Sequence, residues 1–147
     1  MRKPLIIAAM WLASALVGCA SGPKFHDVES NIGATPQGKA RIYFYRASTM
    51  GAAVQPSIKL NGAVVGAAEP KGVFFVDRDP GDIEVSTSTE VERKLTFTVA
   101  AGETRYVRLK MHVGLFVGHV IPELVDEKEA KEDIAGLAFT GSGGTSK

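Results

Sequence analysis

Apolar residues at every second position, in stretches separated by turn residues, are the feature that most restricts how this chain folds. Leu95, Phe97 and Val99 alternate with polar residues in one stretch, and Ile83 and Val85 do so in an earlier one. Because a β-strand points alternate side chains to opposite faces, this period of two predicts half-buried strands that share one core. The chain is therefore expected to be mainly β.

Turn residues between the stretches predict how the strands connect. Asn61-Gly62 separates Ser57–Leu60 from Ala63–Gly66 and favours a two-residue hairpin turn. Pro80-Gly81 suits the middle of another tight turn. Ala40–Arg46 carries aromatic residues on both faces, which predicts a central strand or one whose second face is covered by another element. Together these patterns predict a small antiparallel β-sandwich of about seven to eight strands.

Residues 104–124 predict one regular strand followed by a less regular one. Val107, Leu109 and Met111 alternate as the inward face of the first strand. Glycines and Pro122 interrupt the second part, and proline lacks the amide that a strand ladder uses. An irregular strand or hairpin is expected there.

The C-terminal part of the sequence predicts one short helix. Asp126 is placed as a helix N-cap, and Glu129 stands at the third helical position, as in a capping box. Ala130, Ile134 and Leu137 fall on one helical face. The helix is expected to run from Asp126 to about Leu137.

Composition divides the chain into four predicted segments. Residues 1–18 form a leader, and residues 19–39, which lack either hydrophobic period, form a flexible tether. Residues 40–138 form the β-sandwich domain with its C-terminal helix, and the Gly- and Ser-rich residues 139–147 form a disordered tail. A chain of 147 residues is enough for one such domain with its flanking segments.

The N terminus has the composition of a secretory signal peptide. Arg2 and Lys3 precede an apolar run from Leu5 to Val17. A transmembrane helix needs about 20 predominantly apolar residues, and this run is shorter. A removable leader is therefore expected rather than a membrane span.

Leu16-Val17-Gly18-Cys19 closes the leader and resembles the bacterial lipobox. The resemblance implies cleavage between Gly18 and Cys19, a diacylglycerol on the Cys19 sulfur and a further acyl chain on the new amino group. Two or more chains give stable membrane anchoring. In Gram-negative sorting, Ala20 instead of aspartate after the cysteine implies the outer membrane, on its periplasmic side. The alternative is that Cys19 is an ordinary signal-helix residue or a buried free thiol.

Charge and cysteine content exclude several classes of function. The chain has 17 Lys and Arg residues against 16 Asp and Glu residues, a net charge of +1. It lacks the basic excess of a nucleic-acid-binding domain, so no nucleic-acid partner is expected. Cys19 is the only cysteine, so neither a disulfide framework nor a Cys-based metal site is expected, and no cofactor is predicted.

His112 and His119 are the candidate metal ligands of the sequence. They flank Gly-Leu-Phe-Val-Gly and would meet across a turn. With a metal bound they would support an envelope hydrolase or another metal-dependent enzyme. Zinc normally takes a third protein ligand, which neither a thiolate nor a close carboxylate supplies, so structural or surface histidines are the alternative.

Two further groups of residues have both a functional and an ordinary interpretation. The turn from Asp77 to Glu84 carries carboxylates that suit Ca²⁺, but its spacing departs from that of a calcium loop, which favours a solvated turn. Tyrosines and arginines would line a groove for an anionic or sugar-bearing envelope component, and core aromatics with solvated charges are the alternative. The candidate groove residues are Tyr43, Tyr45, Arg46 and Tyr106, with Arg41, Arg105 and Arg108 beside them.

The order of motifs along the chain resembles that of one family. The motifs are Tyr-Phe-Tyr-Arg at 43–46, Ile-Lys-Leu-Asn-Gly at 58–62, Phe-Phe at 74–75, Pro-Gly at 80–81 and Ala-Gly-Glu-Thr-Arg-Tyr-Val at 101–107. Over residues 40–124 the chain resembles the bacterial lipoproteins of domain of unknown function 2846, and it is also similar to sandwich modules of the PEGA and carboxypeptidase-regulatory type. The resemblance implies an antiparallel β-sandwich and brings no established activity.

Three functions are compatible with these patterns. The first is a non-catalytic binding or assembly module of the bacterial envelope, anchored by lipid, whose partner is the membrane and another envelope protein or polymer. The second is the envelope hydrolase or metal-dependent enzyme that would use His112 and His119. The third is a surface-exposed effector or inhibitor. A nucleophile elbow of the G-x-S-x-G type before a helix is lacking, which favours the first.

Overall fold

A computed structural model describes residues 18–116 and 118–143 of the chain. Within them, two α-helices are formed, α1 (Phe25–Val28) and α2 (Glu127–Ile134), and a 3₁₀ turn over Glu29–Asn31 follows α1. The strands are β1 (Ala40–Tyr45), β2 (Ser57–Leu60), β3 (Ala63–Ala67), β4 (Gly72–Arg78), β5 (Gly81–Ser88), β6 (Glu92–Val99), β7 (Thr104–Val113), β8 (Gly118–Val125) and β9 (Ala138–Ser142).

The strands form two sheets that face each other. One sheet has the order β8-β7-β1-β4-β9, and the other has the order β3-β2-β5-β6. Side chains such as Ile42, Phe44, Val85 and Val107 fill the core between them. This confirms the mainly β sandwich with one short C-terminal helix. Most neighbouring strands are antiparallel, whereas the β1–β7 and β4–β9 pairs are parallel.

The predicted hairpin and the predicted core faces are present. Asn61 and Gly62 have φ angles of 48° and 84°, the left-handed conformation that a two-residue hairpin turn needs, and they join β2 to β3. The side chains expected to share a core do so: Ile83, Val85 and Val99 are buried, and Leu95 and Phe97 pack against them.

Residues 118–125 form a more regular strand than the sequence indicates. β8 pairs antiparallel with β7 from Val125 opposite Tyr106 to Gly118 opposite Val113. Pro122 is tolerated because β8 is an edge strand of its sheet, where a missing amide donor breaks no ladder on the outer side.

β1 is the central strand of the larger sheet, as its aromatic residues predict. All six of its residues are buried. Ile42 and Phe44 face the core between the sheets, and Tyr43 and Tyr45 face the outer side. That outer side is covered by α2 and by residues 20–39, which contain α1 and which we call the α1 segment, so the sheet is buried on both faces.

α2 begins where its cap predicts and carries the outer layer. The Asp126 carboxylate accepts a hydrogen bond from Glu129 N at 3.0 Å. Ala130 and Ile134 of the helix are buried against the tyrosines of the larger sheet, together with Leu137. The helix therefore closes a second apolar cluster outside the sandwich.

Residues 20–39 pack on the domain, which corrects the prediction of a flexible tether. Phe25 is buried in the outer cluster, and Phe25 N donates to Leu137 O at 2.8 Å. Arg41 Nη1 donates to Gly33 O at 2.7 Å. Burying one phenylalanine stabilises the fold by about 1.5–3 kcal/mol. A single aromatic residue in a polar segment makes no hydrophobic period, so the pattern could not reveal this packing.

The predicted disordered tail also begins too early. β9 pairs in parallel with β4, and Gly143 N donates to Phe75 O at 2.7 Å. The folded domain therefore extends to Gly143. Residues 144–147 lie outside the described residues, as do residues 1–17, which contain most of the predicted leader.

The two ends of the sandwich carry different connections. At one end lie the connections β1–β2, β3–β4, β5–β6 and β7–β8, and at the other lie β2–β3, β4–β5 and β6–β7. Ala20 N donates to Pro70 O in the β3–β4 connection at 2.8 Å. Cys19 therefore belongs to the first end, which we call the Cys19 end. Within residues 18–116 and 118–143, none of the helices is long and apolar enough to cross a bilayer.

Candidate functional site

Cys19 is exposed, and the residues on both sides of it are held on the domain. Gln55 Nε2 donates to Gly18 O at 3.1 Å. On the other side, Ala20 N donates to Pro70 O at 2.8 Å. The thiol therefore projects from a fixed point of the surface at the Cys19 end.

The β3–β4 connection is shaped to receive Ala20. A Cβ built on Gly72 would lie 2.7 Å from the Ala20 Cβ, so glycine leaves the space that the Ala20 methyl group fills. Lys71 has a φ of 61°, and its backbone N–H donates to Arg46 O at 2.8 Å. Its carbonyl accepts from Ala138 N at 2.9 Å. The turn is therefore fixed by β1 and β9 on either side.

Arg46 holds the β1–β2 connection that carries Gln55. Its side chain is fully buried, and its two terminal nitrogens donate only to backbone carbonyls. Nη1 donates to Val54 O at 2.7 Å and Ala68 O at 2.9 Å, and Nη2 donates to Met50 O at 2.6 Å and Gly51 O at 2.9 Å. Burial lowers the pKa of the guanidinium. Arg46 is thus an internal clamp of the Cys19 end and is closed to a ligand.

The three candidate groove tyrosines are core residues. The rings of Tyr43 and Tyr106 stack with centroids 5.3 Å apart, and the Tyr45 hydroxyl donates to Asp133 Oδ2 at 2.8 Å. Burial raises the pKa of each phenol. All three lie under α2 and the α1 segment, so they line no open groove.

Two neighbouring arginines are engaged in ion pairs. Arg41 binds Asp77 with two hydrogen bonds, Nε to Oδ1 at 2.8 Å and Nη2 to Oδ2 at 2.9 Å, and its guanidinium lies 4.0 Å from the Phe75 ring centroid. The hydrogen bond to Asp77 raises the pKa of Arg41. Arg105 Nη2 pairs with Glu103 Oε1 at 2.6 Å.

Arg108 ties β7, β8 and α2 together. Its Nε donates to Glu123 Oε1 at 2.6 Å, and its Nη1 donates to Glu129 Oε1 at 2.6 Å and Asp133 Oδ2 at 3.2 Å. Burial disfavours the charge, but the hydrogen bonds to Glu129 and Glu123 raise the pKa of Arg108 overall. The network fixes α2 on the sheet.

His112 and His119 meet across the β7–β8 hairpin, where they are direct register partners. Thr89 Oγ1 lies 3.1 Å from His119 Nδ1. Among the residues that the structure describes, no group of three or more His, Cys, Asp or Glu side chains is placed to hold a metal ion. The pair lies at the Cys19 end and adjoins the tip of the hairpin.

The carboxylates of the acidic turn point to separate partners. Asp77 binds Arg41, and Asp79 Oδ1 accepts from Lys39 Nζ at 2.6 Å. Farther along β5, Asp82 accepts from the Thr98 hydroxyl at 2.8 Å and Glu84 accepts from Lys94 Nζ at 3.1 Å. These carboxylates are distributed among partners and do not converge on one point.

Sequence reasoning located Cys19 but missed the residues that hold its neighbours. Gln55, Pro70 and Gly72 do not stand out by spacing or chemistry. The only available sign was the Pro-Lys-Gly turn signal at 70–72, which predicts a turn but not what docks on it.

Fold and site together define a small two-sheet β domain whose cysteine-bearing segment is docked at one end. Residues 36–120 match the family described as "Protein of unknown function (DUF2846)". The match covers more than half of the chain, so the chain belongs to this family, as its motif order predicted.

The chain is similar to an uncharacterized protein of Haemophilus influenzae, with 28% identity over 131 residues that cover 86% of this chain and 78% of the relative. No solved structure matches. The similarity to PEGA-type modules therefore stays a prediction.

Proposed function

We propose that this protein is a lipid-anchored envelope domain that acts as a non-catalytic binding or assembly module. In this proposal Cys19 carries the diacylglycerol and the amino-terminal acyl chain, and the domain lies on the periplasmic side of the outer membrane. The observation that carries the proposal is an exposed Cys19 thiol, within a lipobox-like sequence, at the edge of a folded domain.

The local geometry supports attachment of lipid at this position. A thioether can form only on an accessible sulfur, and Cys19 is exposed. Cleavage before Cys19 would remove Gly18 and its hydrogen bond from Gln55, but the Ala20–Pro70 hydrogen bond belongs to the mature chain and would remain. The anchored residue would still be held at the Cys19 end.

The packing of the candidate site residues supports a non-catalytic role. Arg46 is used internally, and the three tyrosines are buried under α2. Arg41 and Arg108 are engaged by carboxylates of the domain itself. These groups stabilise the fold and present no nucleophile with an adjacent base.

Lipidation is tested by metabolic labelling with a fatty acid. The wild-type chain should incorporate label, and Cys19→Ser should lose it because serine supplies no thiol. A matched control moves the thiol by two residues in Cys19→Ser/Ser21→Cys, which should also stay unlabelled because the cysteine has left the lipobox position. Label in Cys19→Ser would contradict the anchor.

Location is tested by fractionation and protease treatment. The protein should sediment with outer membranes, resist protease in intact cells and be digested once the outer membrane is permeabilised. Digestion in intact cells would contradict the periplasmic orientation and favour a surface-exposed effector or inhibitor. Independently of the protease result, crosslinking in intact cells should recover an envelope protein or polymer bound to the domain.

A further inference from the structure

Exposed apolar side chains are concentrated at the Cys19 end. Among the described residues, seven large apolar side chains are exposed, and five of them lie at this end: Met50 and Val91 in the β1–β2 and β5–β6 connections, Val113 at the last position of β7, and Leu115 and Phe116 in the β7–β8 connection. Leu115 is 98% exposed and Phe116 is 94% exposed. The other two, Val64 and Leu124, lie in strands away from this end. The larger exposed apolar side chains are therefore concentrated at the Cys19 end.

The β7–β8 tip, which we define as residues 113–116, projects beyond the rest of the larger sheet. Tyr45, the last residue of β1, lies opposite Arg108, and β7 continues for five more residues to Val113. At about 3.3 Å per residue, the tip reaches roughly 17 Å past the end of β1. Because Leu115 and Phe116 in the tip are almost fully exposed, they contact little of the rest of the domain.

A continuous set of contacts joins the tip to the Cys19 segment. Ala20 N donates to Pro70 O in the β3–β4 connection, and the Arg46 side chain joins that connection to the β1–β2 connection by donating to Ala68 O in the first and Met50 O in the second. Gly51 of the β1–β2 connection faces β7, and a Cβ at this position would lie 2.7 Å from Met111 Cε. Met111 stands two residues before Val113. The anchor position and the tip are therefore parts of one packed end.

We propose that the β7–β8 tip inserts into the lipid bilayer beside the lipidated Cys19, with Met50 and Val91 at the membrane surface. This inference rests on the proposed lipid anchor. An anchor at Cys19 turns this end toward the membrane, so Leu115 and Phe116 meet acyl chains instead of water, which removes their apolar surface from water. Apolar side chains of surface-bound segments reach about 5–10 Å into the headgroup and acyl boundary, a depth within the reach of the tip.

A single tryptophan placed in the tip tests the insertion. Trp11, in the predicted leader, is the only tryptophan of the chain. We would prepare Trp11→Phe/Phe116→Trp from cell membranes and reconstitute it in phosphatidylethanolamine–phosphatidylglycerol vesicles with brominated acyl chains. The matched control is Trp11→Phe/Val64→Trp, whose reporter is also exposed but lies on β3. Emission from position 116 should shift to the blue and be quenched by bromine, whereas emission from position 64 should do neither.

The outcomes separate this inference from the anchor. Mass spectrometry of the same sample reports whether Cys19 carries acyl chains. Acylated protein with an unquenched residue 116, or with equal quenching at 116 and 64, would overturn the insertion and leave the anchor in place. A third outcome is that residue 116 is shielded from acrylamide in native membranes but is not quenched by brominated lipid. That result would assign the tip to a protein partner and would also overturn the insertion.

Discussion

Arg46 is the residue on which the Cys19 end depends most. Its charged guanidinium is fully buried. It donates hydrogen bonds to backbone carbonyls of the β1–β2 and β3–β4 connections and does not pair with a carboxylate of the described residues. Hydrogen bonds from a charged donor contribute about 1.5–3 kcal/mol each, and a buried carbonyl left unpaired costs about 1–3 kcal/mol. The clamp offsets the cost of burying the charge and fixes the β1–β2 connection.

Replacing Arg46 should therefore weaken the fold well beyond an ordinary surface change. Arg46→Met keeps much of the volume but leaves the carbonyls of Met50, Val54 and Ala68 without their donor, so we expect a loss of about 3 kcal/mol in the free energy of unfolding. Urea unfolding measures it. Arg93→Met, at an exposed strand position, is the control and should change the same quantity by less than about 0.5 kcal/mol. Equal effects of the two substitutions would contradict the clamp.

The α1 segment completes the outer layer. The sequence pattern did not predict that it packs on the domain. It runs from the Cys19 end, where Lys24 bridges Ala138, to the opposite end, where Lys39 O accepts from Gly102 N at 2.8 Å. Phe25 makes its main apolar contact, edge-on to Tyr43 with ring centroids 5.7 Å apart. The segment therefore acts as part of the domain.

Removing the Phe25 ring should destabilise the domain although it lies outside the predicted sandwich. Because large-to-small changes of buried aromatic residues cost about 3–5 kcal/mol, Phe25→Ala should approach that loss in urea unfolding and should make residues 20–39 sensitive to protease. Phe116→Ala removes the same ring from an exposed position and should leave the stability unchanged. If Phe25→Ala unfolds like the wild type, the segment is a tether after all.

Elements with a clear period or a turn signal were predictable, and those defined by isolated residues were not. Three local patterns predicted what the structure shows. They are the alternation in β5 and β6, the Asn61-Gly62 turn and the Asp126 cap. β9 is too short for a period to show, and its parallel pairing with β4 depends on the path of α2 across the outer face. At the site, the motif around Cys19 could be recognised in the sequence. The docking of Ala20 on the β3–β4 turn could not be predicted, because it depends on tertiary packing.

At the scale of the whole molecule, every tyrosine of the chain is in the outer layer. Tyr43, Tyr45 and Tyr106 are the three tyrosines present, and burial raises the pKa of each above its usual value near 10. A buried phenol favours the neutral form, so the folded chain holds its protons at a pH where the unfolded chain releases them. Ionisation of the tyrosines therefore leaves the free energy of unfolding unchanged below about pH 10 and lowers it as the pH rises above that value.

Alkaline titration should therefore show one cooperative step. Phenolate absorbance should stay low past pH 10 and then rise together with the loss of circular dichroism, because ionisation requires unfolding. The same chain in urea should titrate gradually around pH 10. A gradual rise in the folded protein, with circular dichroism unchanged, would contradict the burial of these phenols.

The position of Ala20 on the β3–β4 connection has a mechanical consequence. In a chain anchored at Cys19, a pull along the lipid meets the Ala20–Pro70 hydrogen bond first and then the packing of Phe25, and it reaches β1 only after residues 20–39 have been stripped from the outer layer. The segment would yield in sequence, one contact at a time, and shield the two sheets from load. Tension at the membrane would thus act on the outer layer before it reaches the two sheets.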